Sequence, residues 1–495
     1  MKSVPEIRIR RANQAGVRSG GEYVLYWMIA ARRLSFNFAL DRALSWAREL
    51  GRPLLLLEPL RAGYPWASDR FHRFVLDGMA EHARRLAGSA VAYYPYVEPH
   101  PGAGSGLLAA LATRAAVVVT DDSPAFFYPR MVAAAAARLD VRLEAVDGNG
   151  LLPIAATRQV YPTAYAFRRF LQKELPEHLG SLPRPRPLDG APLQQLETLP
   201  AEIVRRFPPA APELLSGDPA ALARLPIDHS VAPVAAIPGG EEAGRKILRR
   251  FLDRRLHRYV EARTDLDDEA TSGLSPYLHF GHLSAHEVFA ALTEREGWTP
   301  ERLAGDRRGA KEGFWGMSAA AESFLDELVT WREVGFNRAA HEPGYDRYAT
   351  LPPWARQTLA DHASDPRPHL YTLESFERAQ TDDDLWNAAQ GQLLSEGRIH
   401  NYLRMLWGKK VLHWTARPQE ALEILVELNN KYALDGRDPN SYSGIFWCLG
   451  RFDRPWPERP VFGTVRYMSS ESARKKLDVS GYLRRFAPGA QLRLV

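Results

Sequence analysis

From Tyr23 to Val146 short, densely apolar runs alternate with longer amphipathic stretches. Tyr23–Ile29 (YVLYWMI) is apolar at every position, as a strand buried on both faces requires; Pro53–Glu58, Ala90–Tyr94, Ala115–Thr120 and Val141–Val146 repeat the pattern. Between them the period changes to 3.6 residues. It predicts helices over about Asn37–Leu50, Asp69–Leu86, Gly106–Thr113 and Phe126–Leu139, with Phe71, Phe74, Val75 and Met79 sharing a face of the second. Strands alternating with helices of this length build βαβ units and a doubly wound parallel sheet.

Between Pro176 and Pro238 the pattern dissolves. Thirteen of the 37 prolines fall there, including Pro183, Pro185 and Pro187. Proline removes a backbone donor and forbids helix interiors, so a long connector is expected. Beyond Gly239–Gly240 the 3.6-residue spacing governs Glu241–Arg263, Ala285–Glu296, Ala319–Phe336, Asp382–Leu394, Ile399–Thr415 and Pro418–Lys431; the first β-type run after them is Val461–Val465. The expected architecture is an α/β domain over 1–175, a proline-rich connector over 176–240 and a large all-helical domain over 241–486.

A length of 495 residues suits two or three domains, and 45% apolar with 25% charged residues supports packed cores rather than disorder. Lys and Arg exceed Asp and Glu by 64 to 59, a mild basic excess that permits a nucleic-acid partner without demanding one. The one cysteine, Cys448, excludes an intrachain disulfide and a Cys-based zinc site, and no metal is expected. The N-terminus is basic without the apolar core of a signal peptide, and no apolar run is long enough to cross a bilayer, so a soluble cytoplasmic protein is expected. Nine of the twelve tryptophans lie between Trp298 and Trp456. The second half therefore invests in large aromatic rings.

Five segments of that half carry candidate chemistry. Thr271-Ser272-Gly273-Leu274-Ser275-Pro276 offers hydroxyls and backbone N–H groups ahead of a helix, with Ser275 as its cap and Pro276 at its first position; a phosphate suits such a place, and so does an ordinary helix start. Ser284 and Glu287 form a second capping signal. Glu327 and Trp331, four residues apart, share a helix face, which suits stacking on a base while bonding its edge. Ile399–Lys410 presents Arg404, Met405 and Trp407, with Trp414 two turns on and Trp386 on the preceding helix; such spacing is equally that of core packing. Asn429-Asn430 breaks helix propensity before the turn Asp435-Gly436. Trp447 is followed by Arg451 and Arg454, able to meet phosphates or simply to charge a surface.

Taken in this order, with Tyr259 and Arg263 ahead of Thr271, these segments resemble the photolyase/cryptochrome family, whose flavin signature is a tyrosine, an arginine and then TSxLSPYLxFG. The order Trp386, Trp407, Trp414, with Arg404 and Met405 before the middle one, resembles the class II cyclobutane pyrimidine dimer branch. The resemblance implies an α/β antenna-type domain joined to a helical FAD-binding domain, and light-driven repair of DNA by reduced FAD. It implies FAD held by Tyr259, Thr271, Ser272, Gly273, Leu274, Ser275, Arg404, Asn429, Asp435 and Gly436, with Arg437 and Asn440 in the same loop. Asn429 would face the redox-active flavin nitrogen. Glu327, Trp331, Met405 and Trp447 would line the lesion pocket, and Trp331, Trp447, Arg451 and Arg454 would contact DNA, with the segment after Trp447 entering the gap left by the flipped dinucleotide. Trp407 would stand nearest the flavin, Trp386 would relay, and Trp414 would end the wire at the surface. Damaged DNA would be the partner of a monomeric enzyme, a deoxyribodipyrimidine photo-lyase by activity.

The sequence departs from the family at the N-terminal strand, where class II members continue YWMxRDxRxxDNWAL and this chain has Ala31 and Phe36 at the two acidic positions, keeping Arg33 and Asn37. That bears on a second, antenna chromophore of deazaflavin or folate type. Two other functions stay open: a cryptochrome-like blue-light receptor and a photolyase for the (6-4) lesion.

Overall fold

The computed structural model describes residues 4–190, 193–268 and 270–487; Ala191 and Pro192 of the proline-rich stretch lie outside them. The chain forms two compact units, one of 1–158, 174–249 and 274–300, the other of 159–173, 250–273 and 301–495. The boundaries thus differ from the three contiguous blocks expected from composition. Local composition cannot reveal that a short stretch returns to an earlier core.

In the first unit six strands form one sheet: β1 (Ile9–Arg11), β2 (Tyr23–Trp27), β3 (Leu54–Leu60), β4 (Val91–Val97), β5 (Ala115–Asp121) and β6 (Leu143–Val146), in the order β1-β6-β5-β2-β3-β4. All are parallel except β1, which pairs antiparallel at the edge with Ile9 opposite Val146. β1 carries no apolar run, which is why patterning misses it. Helices α1 (Phe38–Leu50), α2 (Asp69–Leu86), α3 (Leu107–Ala112) and α4 (Tyr128–Ala136) cover the sheet. Tyr23, Leu25 and Trp27 join Leu55, Leu57 and Val118 under α3 and α4, while Val24, Tyr26 and Met28 join Leu54, Leu56 and Val119 against Phe38, Leu40 and Leu44 of α1. Burial on both faces accounts for the unbroken apolar strands.

The proline-rich stretch packs on this unit instead of spacing it. Ile203 and Phe207 enter the core on the α3 side; Leu214, Leu222 and Leu225 pack with Val75, Leu76 and Met79 of α2. Tyr94 donates its hydroxyl to the Phe207 carbonyl at 2.5 Å, and Ala210 N–H donates to Pro95 O at 2.8 Å. Prolines set the turns; the apolar residues between them supply the adhesion.

β2 lies between β5 and β3, where strand order reverses and open sheets of this kind leave a crevice beyond the carboxyl ends of their strands. Here Asp121, at the end of β5, accepts N–H bonds from Ile29, Ala30 and Ala31 at 2.8, 2.7 and 2.9 Å, and the Tyr26 hydroxyl at 2.8 Å. Asn37 caps α1 through Oδ1 and ties Tyr26, Ala31 and Arg33 through Nδ2. Asn37 is therefore kept for its hydrogen bonds. Phe36 beside it takes a left-handed φ of 47°.

The second unit is helical. Ala319–Leu325, Arg332–His341, Asp384–Glu396, Asn401–His413, Pro418–Tyr432 and Pro439–Cys448 are its principal helices. Val461–Val465 is not a strand; only a bridge between Arg459 and Gly463 forms there. Among the described residues no helix is long and apolar enough to cross a membrane, and no cluster of three or more His, Cys, Asp or Glu side chains could hold a metal.

A buried ion cluster ties β3, α2 and the Glu241–Arg254 helix within the first unit. His82 lies between Glu58 (Nδ1 to Oε2, 2.8 Å) and Glu241 (Nε2 to Oε1, 3.5 Å), with Arg32 on Glu58 at 3.0 Å and Arg85 on Glu241 at 2.8 Å. Burial alone would push His82 down, but the two carboxylates hold it up, to about 9. Burial would likewise push Glu58 and Glu241 up, and His82 with the arginines holds both down, to about 2. The stabilisation from His82 is full below its ordinary value of 6.5 and is lost as pH rises through about 9; that from the two carboxylates is full above 4.5 and lost as pH falls toward 2. Thermal unfolding across pH should therefore peak between these limits, and His82→Gln should lower stability by about 3 kcal/mol and flatten the alkaline limb. An unchanged alkaline limb in the variant would disprove the role of His82.

Candidate functional site

Between Ala319–Leu325 and Arg332–His341 the helix widens into a π turn over Asp326–Trp331, where a single α-helix was expected. Such turns are rare and often mark functional positions. It carries Glu327 and Trp331, both partly exposed. Glu327 pairs with Arg263 (3.2 Å), whose guanidinium lies 5.9 Å from the Tyr259 ring. The fold thus joins the tyrosine and arginine of one sequence segment to the glutamate of another. Crowding by protein atoms pushes the Glu327 carboxyl above its ordinary value; Arg263 opposes this and the neighbouring Asp326 carboxylate adds to it. Asp326 itself is held by a two-pronged bond from Arg168 at 2.7 and 3.0 Å.

Helix Asn401–His413 crosses Pro439–Cys448 so closely that the Cys448 sulfur occupies the space a Cβ on Gly408 would need. One turn along, Met405 lies over Gly444, 3.8 Å from where its Cβ would stand. Trp447, partly exposed, sits at the end of the second helix. Beneath its ring, 4.8 Å away, lies the fully buried Lys409 ammonium, which donates to Cys448 O at 2.7 Å. Burial pushes Lys409 down to about 8. Arg466 lies 5.5 Å from the same indole and 4.6 Å from Trp456.

Three tryptophans form a continuous chain. Trp386 stacks on Trp407 (centroids 6.2 Å apart, 6° between planes) and meets Trp414 edge-on (6.1 Å, 70°). Trp407 and Trp414, two turns apart on one helix, therefore communicate through Trp386. Trp386 donates its indole N–H to the Trp407 carbonyl at 3.0 Å, and Trp407 donates to Gln390 at 3.0 Å. Trp414 was expected at the surface, but it is 3% exposed. The next ring outward is Tyr371, edge-on to Trp414 at 5.4 Å, with its hydroxyl on Asp382 at 2.8 Å.

On the same helix as Met405 and Trp407, Arg404 pairs with Asp435 at 2.8 and 3.4 Å. Asn429, 5% exposed, gives both amide protons to protein, one to Asn430 Oδ1 (3.1 Å) and one to Ser441 Oγ (2.9 Å), while its own Oδ1 takes no hydrogen bond among the described residues. Gly436 has no room for a side chain, since a Cβ would stand 2.6 Å from Asn429 O. In the Thr271–Ser275 run, Gly273 adopts a φ of 69° and the helix begins at Ser275, one residue earlier than expected, with Leu274 at the cap and no side-chain bond there. An amide oxygen left without a hydrogen bond among the described residues, a carboxylate fixed by arginine and a glycine cradle are the kinds of groups a flavin needs, and the residues fit one. Ser284 does cap its helix, on His286 N, but Glu287 turns to Arg245 instead of completing a capping box.

Arg451 is a correction. Expected on phosphates, it is 1% exposed, lies 3.7 Å from the Phe446 ring, and donates to Tyr345 O at 3.0 Å and Thr350 Oγ1 at 2.5 Å. Arg454 is exposed. Sequence reasoning missed Lys409, Gln390, Ser441 and Tyr371. Only Gln390 left a signal, four residues after Trp386 and hence on its helix face.

No family model matches the chain. It is 32% identical to the deoxyribodipyrimidine photo-lyase of Methanothermobacter thermautotrophicus, covering 97% of both chains. To that of Oryza sativa subsp. japonica it is 34% identical, covering 96% of this chain and 89% of the other. Among solved structures it is similar to a bacterial class III photolyase from Agrobacterium tumefaciens (TM-score 0.69, 18% identity, 94% of this chain and 87% of that one). It is also similar to a cryptochrome from Synechocystis sp. PCC6803 (TM-score 0.64, 17% identity, 95% and 89%).

Arg451→Leu removes the donor from two part-buried acceptors and a well-packed buried side chain, and is expected to lower stability by about 1–3 kcal/mol in denaturant unfolding. Arg454→Leu should stay within about 0.5 kcal/mol of the parent. Equal small effects would rule out the strut.

Proposed function

The chain belongs to the deoxyribodipyrimidine photo-lyase family, an enzyme family, and we propose that this member repairs cyclobutane pyrimidine dimers in DNA, using light and a bound reduced FAD. The observation that carries the reading is the helix Asn401–His413, which brings Arg404 to Asp435, Met405 to the Trp447 helix and Trp407 to Trp386. One rigid element thus serves cofactor, lesion and electron supply.

When bound and photoexcited, reduced FAD would supply the electron for opening the cyclobutane ring, a cycle with no net oxidation or reduction. The rest is work for the chain. Arg404 with Asp435, the Thr271–Ser275 run and Asn429 bind and orient the cofactor. Trp331 and Trp447, both partly exposed, stack against the two bases of a dinucleotide turned out of the duplex, and Met405 closes the pocket. A dimer pairs poorly, which lowers the cost of flipping. Glu327, whose carboxyl burial makes easier to protonate, is the group that would share a proton with a dimer carbonyl as negative charge builds there. Arg263 keeps that carboxyl oriented. Arg454, exposed beyond Trp447, meets a backbone phosphate. Trp407, Trp386 and Trp414 pass electrons inward to return the cofactor to its reduced state. Both inner indoles have their N–H on protein acceptors, so neither loses a proton to water while it carries the hole.

Purified protein loaded with reduced FAD and illuminated with a dimer-containing oligonucleotide is expected to restore the pyrimidines. No restoration, or repair of (6-4) lesions alone, overturns the reading. Trp407→Phe should block photoreduction of oxidised FAD yet spare repair by enzyme reduced beforehand; unimpaired photoreduction would refute the wire. Glu327→Ala should slow ring opening by about tenfold or more, the worth of one hydrogen bond to a charged group.

A further inference from the structure

The bonds around Asn429 determine which way its amide faces. The backbone N–H of Arg437 is a donor whose identity is beyond choice. It points at Asn430 Oδ1, 2.9 Å away. That atom must therefore be the oxygen of Asn430, and the other end of the amide, Nδ2, donates to the Tyr442 hydroxyl at 3.0 Å. Asn430 Oδ1 also faces the Asn429 amide at 3.1 Å, and since an amide oxygen only accepts, the Asn429 atom there must be its nitrogen. The second proton of that nitrogen goes to Ser441 Oγ.

The four side chains are 0–6% exposed, so each is shielded from bulk water. Turning the Asn429 amide over would set its oxygen against Asn430 Oδ1, two acceptors face to face. Ser441 could adapt to such a turn, because a hydroxyl donates as readily as it accepts. Asn430 could not. Its anchor is a strained one: Arg437 sits at a φ of 68°, a left-handed conformation a non-glycine residue adopts at a cost.

We propose that Asn430 is a positioning residue, which locks the Asn429 amide with its donors inward and its carbonyl oxygen outward, so that the bound flavin meets an acceptor at this position. The proposal rests on the assignment of Asn429 to the flavin in the preceding section. An outward acceptor favours the flavin whose redox-active nitrogen, N5, carries a hydrogen, and disfavours the one whose N5 is a bare lone pair.

The test reads the bound FAD and not repair. The one-electron-reduced flavin is blue when N5 carries a proton and red when it does not. Photoreduced parent enzyme should be blue. Asn430→Ala removes the acceptor that holds Asn429 and should lower the blue-to-red ratio at a given pH by about tenfold, the worth of one net hydrogen bond. Ser441→Ala should leave the colour blue. If Asn429→Ala changes the colour but Asn430→Ala does not, the lock is wrong and the flavin assignment stands. If Asn429→Ala also leaves it unchanged, the assignment itself fails. Should Asn430→Ala not fold, the parent protein labelled with ¹³C-asparagine answers by infrared difference spectroscopy: an asparagine carbonyl band should move to lower frequency when FAD is reduced, and no such band would overturn the proposal.

Discussion

The close crossing of two helices at Gly408 and Cys448 is the constraint on which the candidate site depends. Any side chain at 408 would collide with the cysteine sulfur and drive Asn401–His413 away from Pro439–Cys448. Separation would lift Met405 off Gly444 and draw Lys409 from the carbonyl at the end of the second helix. It would also shift Arg404 against Asp435 and Trp407 against Trp386. A second glycine, Gly335, lets Arg332–His341 approach the start of the same helix, where Pro439 O and Ser443 Oγ stand 2.8 Å from its missing Cβ. Precision here comes from backbone proximity, which close packing converts into side-chain placement.

Both units bury polar groups against main-chain partners or opposite charges. In the sheet unit Asp121 takes three backbone N–H groups and a tyrosine hydroxyl, filling with a carboxylate of the chain a crevice that open sheets usually offer to ligands. His82 sits between two carboxylates for the same reason. In the helical unit Arg451 and Lys409 give their protons to main-chain oxygens. The Oδ1 of Asn429 takes no hydrogen bond among the described residues, at a place where a cofactor is expected.

The sequence made much of this legible. Unbroken apolar runs gave the parallel strands and the 3.6-residue period gave most of the long helices, because both follow from which faces are buried. Patterning misses Ala164–Glu174 and Pro439–Cys448, and the helix expected over Glu241–Arg263 ends at Arg254. The motif residues around Glu327, Asn429 and Trp407 were visible because their residue types are poor choices for plain packing or recur at helical spacing. Less legible were features that depend on a partner far along the chain. The π turn at Asp326–Trp331 has no local signature. Nor could composition say that the prolines between 176 and 238 alternate with residues seated in the sheet unit's core, or that Ile9–Arg11 finds an edge to pair with.

Sequence alone determined the layered α/β and helical character, the candidate chemistry and the order of the tryptophans, since each rests on residue type and spacing along one chain. Tertiary structure decided which of those residues do which work. It turned Arg451 from a surface charge into a buried strut, because the Tyr345 carbonyl and the Thr350 hydroxyl, far earlier in the chain, take its protons. It closed Trp414 from water and set Tyr371 outside it. It also fixed which end of the Asn429 amide faces inward, since that depends on a backbone N–H eight residues away, brought near by a turn.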